Sequence, residues 1–151
     1  MPGLRALADP PAPALFPDTA PVIIANEIDT RMIAATRANV AAAGVTPYVT
    51  AQHGDFRTLT PSHVARLVRE RGADLTHGVI VCNPPYGERL ADVDTEALYR
   101  DLRRWMCEFR GWRAAFLVAN PRFEEIMGMR PRVKKPLSAS SLKGYFYLYE
   151  L

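Results

Sequence analysis

The stretch VIVCNPPY, residues 79–86, is the part of the sequence that decides the fold. Its first four residues form an apolar, β-branched run of the length of a buried strand. The four residues after it end that strand, because proline removes a backbone donor and fixes the turn. Asn83 adds a polar group there, and Tyr86 adds an aromatic one. The stretch therefore predicts a rigid polar and aromatic ledge at the carboxyl end of a sheet strand.

Composition indicates one soluble globular domain. Of the 151 residues, 48% are hydrophobic and 23% are charged, which is enough for a buried core. The net charge of +3 and the pI near 9.1 mildly favour a polyanionic partner. No apolar run is long enough to cross a membrane, so we expect a cytoplasmic protein without a membrane partner. The three histidines lack the spacing of metal ligands, and we expect no metal site.

The chain divides into two segments of different composition. Residues 1–21 contain six prolines, and proline disfavours both helix interiors and sheet ladders, so we expect a proline-rich N-terminal arm. Residues 22–151 alternate apolar runs with helical patterns, which predicts an α/β domain with a mostly parallel sheet and right-handed crossovers. A short polar stretch, residues 138–141, separates the last two apolar runs. It predicts a C-terminal hairpin with an antiparallel final strand.

The predicted elements place several polar residues at one edge of the sheet. The predicted strands are 22–25, 48–51, 79–82, 114–118, 133–137 and 144–151, and the predicted helices are 30–43, 61–71, 95–109 and 122–127. Ligands of open parallel sheets lie at the carboxyl ends of the strands. Glu27, Asp55, Asn83 and Asn120 each follow a predicted strand, so we expect them along one rim.

The ledge has the groups that methylation of a nucleobase amine requires. The side-chain carbonyl of Asn83 and the backbone carbonyl of Pro84 can both accept hydrogen bonds from an amine and favour its tetrahedral geometry. Pro85 stiffens the turn and keeps these acceptors aimed. Tyr86 offers a face on which a base can stack, worth roughly 1–3 kcal/mol. The alternative is a strand that ends in a common Asn-Pro turn, with Tyr86 as a packing residue.

Residues 79–90, VIVCNPPYGERL, resemble the catalytic strand and loop of class I S-adenosylmethionine-dependent amino methyltransferases. The likeness is greatest to the RlmL-type, THUMP-associated 23S rRNA guanine-N2 methyltransferases. Other family-like stretches are NEID at 26–29, HGD at 53–55, GWR at 111–113 and LKGY at 142–145, so the resemblance covers about residues 22–151. It implies a Rossmann-like class I methyltransferase sheet, S-adenosylmethionine as cofactor and RNA, ribosomal by family, as partner.

The resemblance also implies roles for individual residues. Glu27 would accept hydrogen bonds from the ribose hydroxyls of the methyl donor, and Asp55 from its adenine amino group, with Phe56 beside the ring. Two simpler readings stay open, in which Glu27 is a surface acid beside a helix cap and Asp55 forms an Asx turn. The full set of implied site residues is Asn83, Pro84 and Tyr86 for catalysis, Glu27, Asp55, Phe56 and Asn83 for the cofactor, and Pro85, Tyr86, Glu88 and Arg89 for the substrate.

One family feature is missing from the sequence. The first strand and the Gly-rich donor loop of the family have no counterpart, since Asp9-Pro10 is followed by no glycine before Gly44. Without the strand, two rows of backbone groups lack partners. Three outcomes are open: the neighbouring strands pair directly, the arm fills the gap poorly, or a partner chain, a second copy or a preceding region supplies the strand. We expect a truncated product or direct pairing. Two functions follow: an rRNA guanine-N2 methyltransferase, or a non-catalytic module that binds RNA or protein.

Overall fold

The computed structural model describes residues 21–85, 94–139 and 142–151, and its helices and strands alternate as the sequence predicts. The strands are β1 (Ile23–Glu27), β2 (Val49–His53), β3 (Val79–Cys82), β4 (Arg113–Val118), β5 (Val133–Ala139) and β6 (Leu142–Glu150). The α-helices are α1 (Thr30–Ala42), α2 (Pro61–Arg69), α3 (Thr95–Met106) and α4 (Phe123–Met127), and a 3-10 turn covers Phe56–Thr58. The predicted arm lies outside the described residues except for Pro21. No helix of the described ranges is long and apolar enough to cross a membrane.

Capping residues fix the starts of the main helices where the sequence predicts them. The Asp29 side chain accepts from the backbone N–H of Arg31 at 2.7 Å, Thr60 caps α2 ahead of Pro61, and Asp94 caps α3. Gly44 follows α1 with φ +69°, a left-handed conformation that favours glycine. These local signals explain why the helix starts were predictable from sequence.

Strand ends differ from the prediction by one to two residues. β1 and β2 extend to Glu27 and His53 because they pair in parallel along their whole length, from Ile23 with Val49 to Glu27 with His53. Glu27 therefore ends its strand rather than following it. The 3-10 turn at Phe56–Thr58 was not predicted, since a three-residue turn carries no hydrophobic period.

The strands form two sheets. β1 pairs with β2 in parallel, and a second sheet has the order β3-β4-β6-β5, in which β3 and β4 are parallel and β6 is antiparallel to both neighbours. The predicted antiparallel C-terminal hairpin is confirmed. The expectation that the strands flanking the missing one would pair directly is wrong within the described residues, because β1 and β3 share no ladder.

The core lies on one face of the second sheet. Helices α3 and α4 cover this face, and an aromatic cluster fills it, with Tyr99, Phe116, Phe123, Tyr147 and Tyr149 all buried. The opposite face is only partly covered in the described part of the chain, since Val81 is 79% exposed and Leu117 43% exposed. One-sided coverage of a partly parallel sheet is unusual, because parallel strands normally have both faces covered.

Candidate active site

A cleft of about 970 Å³ lies between β1 and β3. Its walls are mainly apolar, and its size is that of a site for a small molecule or cofactor. Six of the predicted site residues line it together: Glu27, Asp55, Phe56, Asn83, Pro84 and Pro85. The other three, Tyr86, Glu88 and Arg89, lie outside the described residues. The folded chain therefore brings the ends of β1, β2 and β3 to one place.

The Asn83-Pro84-Pro85 turn is held from below by a tyrosine of α3. Asn83 is exposed and faces the cleft, whereas Pro84 is buried. The Tyr99 hydroxyl donates a hydrogen bond of 3.0 Å to the Pro85 carbonyl, and the Tyr99 side chain is fully buried against Phe123, with ring centroids 4.9 Å apart. Burial raises the pKa of Tyr99, so its hydroxyl remains a donor at neutral pH. Tyr99 thus fixes the carbonyl end of the turn.

Tyr99 was missed by the sequence analysis. Its position three and seven residues before Leu102 and Met106 marks it as part of the buried face of α3. A tyrosine on such a face usually directs its hydroxyl to a hydrogen-bond partner. That signal predicts a partner without identifying it, because the contact with Pro85 spans 14 residues of sequence.

Asn120 follows β4 at the predicted edge of the sheet, because β4 runs parallel to β3. It is not among the residues that line the cleft. Its side-chain oxygen accepts from the backbone N–H of Arg122 at 2.9 Å. β4 is one strand further from the cleft than β3, which explains why Asn120 does not line the cleft.

Glu27 lies at the end of β1 with part of its carboxylate already used. Its Oε1 accepts from the backbone N–H of Asp29 at 2.9 Å, which joins the strand end to the start of α1. The Glu27 carbonyl accepts from the N–H of Gly54 at 2.9 Å, and the Asn26 side chain donates to the Gly54 carbonyl at 2.9 Å. These bonds clamp the ends of β1 and β2 together. No hydrogen bond from the described residues reaches Oε2 of Glu27, so this atom is available to a ligand.

Asp55 caps the 3-10 turn and pairs with an arginine. Its Oδ1 accepts from the Arg57 backbone N–H at 2.9 Å, and its Oδ2 accepts from the Arg57 guanidinium at 2.8 Å. Arg57 also bridges to Asp101 of α3 at 2.9 Å and lies 5.3 Å from the centre of the Phe56 ring. The Asx-turn reading of Asp55 is therefore present in the structure. Each carboxylate oxygen accepts more than one hydrogen bond, so this turn leaves room for a ligand amino group.

Two of the three arginines of α3 form ion pairs along the helix surface. Arg100 pairs with Glu96 at 2.8 Å, and Arg104 pairs with Asp101 at 3.2 Å. Exposed pairs of this kind contribute little to stability, about 0–1 kcal/mol each. Their pairing fits a solvated helix face better than a surface reserved for phosphate groups.

Three comparisons with known proteins bear on this site. The profile of a family described as "RMKL-like, methyltransferase domain" (UPF0020) matches residues 12–146. The chain is 34% identical over 132 residues to the ribosomal RNA large subunit methyltransferase K/L of Legionella pneumophila strain Lens, a match that covers 85% of this chain and 17% of the relative. It is 30% identical over 128 residues to YpsC of Bacillus subtilis strain 168, assigned as an RNA methyltransferase, covering 84% of this chain and 30% of YpsC.

A solved structure shares the fold. The crystal structure of SMU.472, a protein described as a methyltransferase and complexed with SAH, superposes with a TM-score of 0.70 at 25% identity, over 85% of this chain and 31% of the other. This likeness confirms the Rossmann-like methyltransferase fold predicted from the sequence. The chain spans less than a third of the length of each of these proteins.

Proposed function

Because the chain belongs to the RMKL-like methyltransferase domain family, as its sequence predicts, we propose that it forms part of an S-adenosylmethionine-dependent RNA methyltransferase. The observation that carries the proposal is that the Asn83-Pro84-Pro85 turn and the carboxylates of Glu27 and Asp55 line the same cleft. The name of the Legionella relative supports ribosomal RNA as the proposed substrate. The proposed location is the cytoplasm. By the resemblance of residues 79–90 to guanine-N2 methyltransferases, the proposed target atom is the exocyclic N2 of guanine.

The cleft fits the methyl donor in its chemistry. S-adenosylmethionine supplies a methyl group that its sulfonium already activates for transfer. The unused Oε2 of Glu27 suits the hydroxyls of a ribose, and the Asp55 carboxylate suits an adenine amino group. Phe56 adds an aromatic ring at the apolar wall, where its edge contact with Trp105 at 5.3 Å holds it.

The turn orients the amine that is methylated. The side-chain oxygen of Asn83 and the carbonyl of Pro84 accept the hydrogens of the amine, which releases its lone pair from the ring and aims it at the methyl carbon. As the new C–N bond forms, the methyl C–S bond of the donor would break, the donor would leave as the neutral thioether, and the amine would lose one proton to solvent. Tyr99 contributes by fixing the Pro85 carbonyl, and so limits the movement of the two acceptors beside it.

The test of this proposal is transfer of a radioactive methyl group from S-adenosylmethionine to large-subunit ribosomal RNA. We expect the chain to label the RNA and Asn83→Ala to lower the rate by about 100-fold or more, as loss of one orienting group does in other enzymes. Asn39→Ala, at an exposed position of α1, is the matched control and should retain the wild-type rate. Equal rates for the two variants, or no labelling by the wild-type chain, would refute the proposal.

A further inference from the structure

Arg57 joins the proposed donor site to α3. It lies in the 3-10 turn that follows β2, and its guanidinium contacts a carboxylate on each side. Nη1 donates to Oδ2 of Asp55 at 2.8 Å, and Nε forms an ion pair with Oδ2 of Asp101 at 2.9 Å. We propose that Arg57 and Asp101 are positioning residues, which hold the Asp55 carboxylate in the orientation that selects the 6-amino group of the donor's adenine. This assignment rests on the proposed function, because it takes the cleft as the donor site.

The shape of the guanidinium allows it to hold both carboxylates at once. Its N–H groups point in fixed directions within one plane, and two different nitrogens of Arg57 take the two partners. The Phe56 ring lies against the guanidinium, with 5.3 Å between Cζ and the ring centre, which restricts its movement further. A lysine ammonium is a single point of charge and could not meet both carboxylates with this geometry.

Arg57 fixes the Asp55 carboxylate through both of its oxygens. The backbone N–H of Arg57 donates to Oδ1 at 2.9 Å, and Nη1 of its side chain donates to Oδ2. Because both oxygens are held, their remaining lone pairs point in fixed directions, and Asp55 lines the cleft. An ionised carboxylate accepts hydrogen bonds and donates none, so a ligand group in front of it must be a donor. A primary amine meets this requirement, and a ring C–H does not.

Asp101 anchors this arrangement to one side of α3. Asp101 and Trp105 are four residues apart on the helix and therefore lie on the same side of it. Trp105 Nε1 donates to the Leu59 carbonyl at 2.8 Å, directly after the 3-10 turn, and its ring meets Phe56 edge-on with centroids 5.3 Å apart. The helix thus holds the 3-10 turn both at Arg57 and at its end, and the Asp55 carboxylate is fixed relative to α3.

The two ion pairs of Asp101 differ in what they reach. Arg57 connects Asp101 to Asp55 in the cleft, whereas Arg104, 3.2 Å from Oδ1 of Asp101, is mostly exposed and does not line the cleft. Partly exposed ion pairs of this kind contribute little to stability, so either can be removed from a folded chain. The two arginines therefore provide a matched test of whether the contact with Asp55 has a role in binding.

A pair of ligands measures the selectivity that Asp55 provides. The first is S-adenosylhomocysteine, and the second is its analogue in which hydrogen replaces the 6-amino group, of nearly the same shape. By calorimetry, the full chain should bind S-adenosylhomocysteine about tenfold or more tightly than the analogue, which leaves the carboxylate without this partner. The ratio of the two dissociation constants isolates the contact with the amino group, because both ligands share the ribose and the thioether.

Three variants show whether Arg57 and Asp101 set this ratio. Asp101→Ala removes the anchor and leaves the pair of Asp55 and Arg57, and it should lower the ratio by about threefold or more. Arg57→Lys keeps the positive charge without the two fixed contacts, and it should lower the ratio by a similar factor. Arg104→Ala is the control and should keep the ratio within about twofold of the wild type. An ion pair with a structural role alone would change the Tm and leave the ratio unchanged.

The outcomes separate this assignment from the proposed function. If the wild-type chain binds neither ligand, the donor site is wrong and the positioning role is wrong with it. If the wild type binds both ligands equally, the donor site stands, but the selective orientation of Asp55 is overturned. If the ratio is unchanged in Asp101→Ala or in Arg57→Lys, or falls as far in Arg104→Ala, the positioning role alone is overturned.

Discussion

Two buried tyrosines allow a direct test of how the Pro85 turn is held. The Tyr99 hydroxyl donates to the Pro85 carbonyl at 3.0 Å, whereas the Tyr149 hydroxyl is buried without a hydrogen-bond partner in the described residues. Both side chains are almost completely buried, at 0% and 1% exposure. Replacing each by phenylalanine removes one oxygen atom from the same aromatic cluster with little change in packing. The pair of variants therefore isolates the hydrogen bond.

The two substitutions should change stability in opposite directions. Tyr99→Phe loses a hydrogen bond with a net value of about 0.5–1.5 kcal/mol. At about 2–4 °C per kcal/mol for a chain of this size, its Tm should fall by a few degrees. Tyr149→Phe removes a hydroxyl that is desolvated without compensation, so its free energy of unfolding should stay equal or rise by about 1 kcal/mol. Thermal and urea unfolding measure both.

The same pair tests the positioning role of Tyr99. In the methyl-transfer assay, Tyr99→Phe should lower kcat with little change in the KM for S-adenosylmethionine, because Glu27 and Asp55, the residues proposed to bind the donor, lie at the ends of β1 and β2 and do not contact Tyr99. Tyr149→Phe should leave both constants unchanged. The reasoning is refuted if Tyr99→Phe is as stable and active as the wild type, or if Tyr149→Phe is the more damaging of the two.

Two further predictions concern β3. Gly78→Ala would place a Cβ 2.4 Å from the Trp112 ring, so we expect the unfolding free energy to fall by about 1–3 kcal/mol. Gly54→Ala is the control and should be nearly neutral, because its Cβ would meet nothing closer than 3.9 Å. Equal losses of unfolding free energy in the two variants would contradict this prediction. Burial raises the pKa of Cys82 from 9.0 to about 11, so the folded state disfavours the thiolate and stability should fall as pH rises from 9 to 11. Between pH 9 and 11, the unfolding free energy of the wild type should fall by about 2 kcal/mol more than that of Cys82→Ala. If the two proteins lose stability equally with pH, the raised pKa of Cys82 is disproved.

Much of the fold was accessible from the sequence because its signals are local. The caps at Asp29, Thr60 and Asp94 and the apolar run of β3 each depend on a few neighbouring residues. The grouping of Glu27, Asp55 and Asn83 was also predicted, since the carboxyl ends of parallel strands meet at one edge.

Features that depend on distant contacts were not predictable in the same way. The separation of the strands into two sheets reflects which edges meet in space, and no local pattern encodes it. The contact between Tyr99 and Pro85 has the same origin, because it depends on how α3 packs beneath the turn. For Glu27 and Asp55 the sequence indicated both a local structural role and a ligand role. In the structure each carboxylate makes its local hydrogen bond and still lines the cleft.

The central claim is that the ends of β1, β2 and β3 form a methyl-donor site, and calorimetric titration with S-adenosylhomocysteine tests it most directly. The account predicts a Kd below roughly 100 μM, or about −5.5 kcal/mol, and at least tenfold weaker binding by Glu27→Ala. No detectable heat of binding to the full chain, or unchanged affinity in the Glu27 variant, would contradict it.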